Sequence, residues 1–61
     1  MPLIKVEMFE GRTRQQRETF AKAVTQAAVE ILKAPRDHTW VVFQEYPKSF
    51  WAMGGDLCDK P

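Results

Sequence analysis

Leu3-Ile4-Lys5-Val6-Glu7-Met8-Phe9-Glu10-Gly11-Arg12-Thr13-Arg14-Gln15-Gln16 is the stretch in which the apolar period of the chain changes from that of a strand to that of a helix. Ile4, Val6 and Met8 alternate with Lys5 and Glu7, which predicts a strand with one apolar face. Glu10-Gly11-Arg12 breaks the alternation. Thr13 and Gln16 then have the spacing of a capping box, in which two side chains satisfy backbone amides of a helix's first turn. A strand therefore gives way to a helix through one tight turn.

Downstream, Phe20, Val24, Ala27, Ala28 and Ile31 form an apolar stripe, with Arg17, Lys22 and Glu30 free to face water. This predicts an amphipathic helix of about 20 residues, roughly 30 Å long. It must stop before Pro35, which has no amide hydrogen and disfavours helical geometry at Ala34. Asp37 and His38 fall in a short connector. The segment 39–46, Thr-Trp-Val-Val-Phe-Gln-Glu-Tyr, is β-branched and aromatic without clean alternation, the composition of a strand covered on both faces. Strand, helix and strand make a βαβ unit with parallel strands and a right-handed crossover. Gly54-Gly55 places a turn in the remaining tail. The expected class is α+β: one domain over residues 1–61, a single βαβ unit followed by a short C-terminal hairpin or tail.

So short a chain buries a small share of its surface, and a two-stranded sheet does not stand alone. The single Cys58 cannot close an internal disulfide, and one Cys with one His is too few for a structural metal, so no metal is expected. With 44% hydrophobic residues, the remaining staple is oligomerisation, subunits extending the sheet edge to edge. Nine Lys and Arg against eight Asp and Glu give a net charge of +1, which favours neither nucleic acid nor a membrane surface as partner. No run approaches the roughly 18 apolar residues of a membrane span, and the default location is cytoplasmic.

Familiar catalytic arrangements are thin. Nothing orients His38 toward Cys58, and the three glycines have no phosphate-loop spacing. What stands out is Met1-Pro2 leading directly into a strand, with Glu10-Gly11-Arg12 at its far end. Met1-Pro2-Leu3-Ile4, Glu10-Gly11-Arg12-Thr13, Ala34-Pro35 and Gly54-Gly55, in that order over essentially the whole chain, resemble the short-chain 4-oxalocrotonate tautomerase family. The resemblance implies the tautomerase (MIF-like) fold, a homohexamer built as a trimer of dimers, and an active site formed by more than one chain around the amino-terminal proline. It implies an enzyme: a cofactor-independent isomerase that moves a proton in an enol or unsaturated keto acid.

On that pattern Pro2 is the catalytic base, its secondary amine freed by removal of Met1. Arg12 is the carboxylate anchor, Trp51 takes the place of the family's aromatic wall, and Phe9 and Trp40 complete the expected substrate contacts. An amine base must be unprotonated near neutral pH, and apolar burial together with a nearby cation lowers its pKa in that direction. Trp40 stands where the best-known members carry a second arginine, which shifts the expected substrate from a diacid to a monoacid or aryl enol. Trp40 is equally readable as a core or interface aromatic, Tyr46 as packing residue or hydrogen-bond donor, and Cys58 as an inert tail thiol. The competing readings are a hydratase or dehalogenase using the same proline, a site-completing subunit of a mixed oligomer, and a peptide-binding module with open strand edges.

Overall fold

The computed structural model describes residues 1–60. Its elements run β1 (Leu3–Phe9), α1 (Arg14–Leu32), β2 (Trp40–Tyr46), β3 (Ala52–Met53) and β4 (Asp56–Leu57), with single 3₁₀ turns at Arg36–His38 and Lys48–Phe50. β1 and β2 pair in parallel without slippage, from Leu3 opposite Trp40 to Phe9 opposite Tyr46. Backbone bonds continue the ladder past both ends: Trp40 N–H donates to Pro2 C=O (2.9 Å) and Glu10 N–H to Tyr46 C=O (2.9 Å).

That register sets the faces, because side chains alternate along a strand. Ile4, Val6 and Met8 share one face with Val41, Phe43 and Glu45, and α1 lies over it; Phe20 of the helix meets Phe43 edge to face at 6.2 Å. Leu3, Lys5, Glu7 and Phe9 share the other face with Trp40, Val42, Gln44 and Tyr46. Within one copy the second strand is covered on its α1 face alone; on the other face Trp40 and Val42, with Leu3 of β1 beside them, are 53%, 44% and 48% exposed. One βαβ unit has one helix and supplies one covering layer.

α1 begins as the capping box requires, with Gln16 N–H donating to Thr13 Oγ1 (3.1 Å) and Thr13 N–H to Gln16 Oε1 (2.9 Å). It ends where Lys33 turns left-handed (φ 58°) and Ala34 N–H reaches back to Ala28 C=O (3.3 Å), a Schellman closure. The buried stripe differs from the expected one. Arg17, Ala21, Val24, Thr25, Ala28 and Val29 are covered, whereas Ala27 and Ile31 point outward and Ile31 is 77% exposed. The helix is thus turned by roughly 60° on its 3.6-residue period from the predicted orientation. Its apolar arc is wider than one sheet face can cover, so periodicity alone did not say which part meets the sheet.

Past β2, Gly54 (φ 59°) and Gly55 (φ 88°) make the two-residue left-handed turn that joins β3 to β4. This hairpin forms a sheet of its own, separate from β1 and β2. Among the described residues Ala28 alone is buried, at 5% exposure. The radius of gyration is 14.6 Å, against about 10.5 Å for a compact chain of this length. The accessible surface of 4891 Å² likewise exceeds the roughly 4,100 Å² of a folded monomer of this mass. One copy therefore encloses almost no core, and the bare sheet face and outer helix stripe are left for other chains to cover.

Candidate active site

Pro2 lies immediately before β1, half-buried, and its carbonyl is held by the Trp40 amide, so Pro2 and Trp40 are neighbours at one end of the sheet. Arg12 is at the other end, in the turn between β1 and α1. The seven residues of β1 separate them by about 23 Å at 3.3 Å per residue. A site using both groups has to draw them from different chains.

Arg12 overlooks a cleft of about 300 Å³ whose floor is Val6, Met8 and Phe43. Arg17 borders the same cleft but is already engaged, donating from Nη1 to the Arg12 carbonyl (3.2 Å) and to Glu45 Oε1 (3.4 Å). That corrects the expectation that Arg17 faces water, since β2 brings Glu45 under the helix. The Arg12 side chain is exposed and, among the described residues, has no carboxylate partner. Its planar fork of donors is available to an anion, which a carboxylate matches bidentately.

Phe9 and Trp51 do come together. Their rings meet edge to face at 4.8 Å, Tyr46 meets Trp51 in the same manner at 5.6 Å, and Lys48 Nζ stands 5.8 Å over the Phe9 ring. The 3₁₀ turn at Lys48–Phe50 folds Trp51 back onto the sheet face that α1 leaves bare. Beside this wall is an open cavity of about 330 Å³ lined by Glu7, Tyr46, Phe50, Trp51 and Ala52. Tyr46 donates its hydroxyl to Glu7 Oε1 at 2.6 Å. That bond, with some desolvation and the repulsion of the carboxylate, pushes the Tyr46 phenol above its ordinary pKa.

The five expected site residues thus fall in three places: Pro2 with Trp40, Arg12 alone, and Phe9 with Trp51. Sequence reasoning offered Glu7 only as one of several unplaced carboxylates and left Tyr46 undecided. The available signal was parity: Glu7 and Phe9 share one face of β1, and the aromatic end of β2 lies opposite only once the register is known. Among the described residues no three of His, Cys, Asp and Glu gather closely enough to hold a metal ion, and no helix is long and apolar enough to cross a membrane.

Comparison with known proteins bears on the whole of this arrangement. A family model described as tautomerase enzyme matches residues 2–60. The chain is 44% identical over 55 residues to a probable tautomerase of Ralstonia nicotianae, covering 90% of this chain and 79% of that one. It is 35% identical over 60 residues to the 2-hydroxymuconate tautomerase of a Pseudomonas species, covering 98% and 95%. Among solved structures, a 4-oxalocrotonate tautomerase homologue superposes with a TM-score of 0.93 at 31% identity, covering 100% and 98%. A heterohexamer 4-oxalocrotonate tautomerase from Chloroflexus aurantiacus superposes with a TM-score of 0.88, also at 31% identity, covering 95% and 94%. Oligomeric relatives of this kind agree with a chain that cannot enclose its own core. Matched from Pro2 to Lys60 in sequence and from end to end in fold, the chain belongs to the tautomerase family, among the 4-oxalocrotonate tautomerases.

Proposed function

We propose that the chain is a cofactor-independent keto–enol tautomerase of 2-oxo acids in which the secondary amine of Pro2, freed by removal of Met1, is the general base. The observation that carries this reading is the fixed position of Pro2 at the mouth of β1, its carbonyl bonded to the Trp40 amide while the preceding Met1 is 66% exposed. With Met1 attached that nitrogen is a tertiary amide with no useful basicity. Once free, the amine takes a proton from one carbon or oxygen of the substrate and returns it at another. Apolar burial of that amine in the assembled site disfavours its ammonium form.

Arg12, unpaired among the described residues, anchors the substrate carboxylate of a site completed by a neighbouring copy and stabilises charge as the dienolate develops. Phe9 and Trp51 form the apolar wall, and Trp40 lines the proline end without offering a charge. Such a set suits a monoacid or aryl enol such as phenylenolpyruvate. Ketonisation of that compound by the mature protein is the test. Pro2→Ala is expected to lower kcat/KM by about 10²- to 10⁴-fold, and Arg12→Ala to raise KM by about tenfold or more. Undiminished activity in Pro2→Ala sinks the mechanism, and the intact mass of the same sample reports whether Met1 has gone.

A second reading is favoured by the heterohexamer relative and by Trp40 in place of the family's second arginine: the chain completes sites in a mixed assembly. Native mass spectrometry of the chain alone separates the two, because an active hexamer of one polypeptide leaves no vacancy for another subunit.

A further inference from the structure

We propose that the bare face of the β1–β2 sheet is covered by the same face of a second copy of this chain, with Lys5 of each copy paired to Glu7 of the other. The face is banded along its strands. Leu3, Trp40 and Val42 make an exposed apolar band at the Pro2 end, and Phe9, Tyr46 and Trp51 make an aromatic band at the far end. Between the bands lie Lys5, Glu7 and Gln44, all three exposed. The apolar bands drive the face out of water, and the charges between them must go with it.

Area and charge together say what covers it. The surface of one copy exceeds that of a folded monomer of its mass by about 800 Å², the share each partner gives up in an interface of standard size. Covering a charge without a partner is costly. Among the described residues Lys5 has no carboxylate partner, and Glu7 accepts the Tyr46 hydroxyl on Oε1 (2.6 Å) but meets no cation. One cation and one anion, two positions apart on the same side of β1, thus stay unpaired within the copy. A like face presents the same two groups, so each cation finds an anion; a face of one sign leaves one of the two unanswered. Such self-complementarity is what an interface between identical copies requires. It also selects against a different subunit lacking either charge, which would bury the other alone.

Native mass spectrometry and sedimentation of the chain purified alone test the pairing. Lys5→Glu sets carboxylates against each other and is expected to weaken assembly by about tenfold or more in dissociation constant. Adding Glu7→Lys restores opposite charges and is expected to bring assembly back to within about threefold of the parent. Because Glu7→Lys also removes the acceptor of the Tyr46 hydroxyl, Lys5→Glu with Glu7→Gln is a second rescue. Glutamine keeps an oxygen for Tyr46 and removes the repelling charge, and it is expected to recover about threefold of the loss. Unchanged assembly in Lys5→Glu overturns the pair, as does a loss that neither change at Glu7 relieves. A parent chain that stays monomeric overturns the second copy as occupant and points to a different subunit. Each result is read as mass, so it stands whatever Pro2→Ala does to activity.

Discussion

Tyr46 is the single tyrosine of the chain, so tyrosinate absorbance reports on one site. Ionisation removes the proton that bridges to Glu7 and sets two negative groups side by side, which is why its folded pKa is raised. A raised folded pKa means a contribution to stability that is complete below the ordinary value of about 10 and is lost as pH climbs through the raised one. Titration of the folded protein is expected to show a midpoint above that ordinary value, moving down in Glu7→Gln. A midpoint at or below it in the parent would count against the bond. The same residue marks a limit of sequence reading: Pro2, Arg12 and Trp51 stand in recognisable motifs, whereas Tyr46 meets a partner 39 positions away and announces nothing locally.

The two ends of α1 call for opposite substitutions. Thr13→Ala deletes the oxygen that accepts the Gln16 amide and is expected to cost about 1 kcal/mol in denaturant unfolding. Lys33 holds a left-handed backbone (φ 58°) that a β-carbon disfavours, and Lys33→Gly is expected to stabilise by up to about 1 kcal/mol in the same assay. If Lys33→Gly proves as destabilising as Thr13→Ala, the Schellman end is not the conformation held in solution. Element boundaries were legible because caps, Pro35 and the paired glycines are local signals. The face that α1 buries was not. Val24 and Ala28 belong to the covered stripe, but Ala27 and Ile31 extend the apolar arc beyond what β1 and β2 can cover, and only packing divides it.

For the molecule as a whole, a single copy has too much surface and almost no interior, and so its stability must depend on concentration. The melting temperature is expected to rise with protein concentration, because dilution favours the separated chains. Trp40→Glu, placed on the bare sheet face at 53% exposure, is expected to lower the melting temperature and reduce the assembly to smaller species in sedimentation. An unchanged assembly in that variant would show that this face is not an interface.

The sequence by itself determined the βαβ order, the capped helix, the glycine turn of the hairpin, the need for partners and the motif that marks the tautomerase family. All of these follow from neighbours along the chain or from composition. Only the tertiary structure decided that Trp40 is the neighbour of Pro2 at one end of the sheet, that Arg17 answers Glu45, and that Glu7 holds Tyr46 beside Trp51. Those relations depend on strand register and helix rotation. Periodicity leaves both free, because it fixes which residues share a face but not what that face meets.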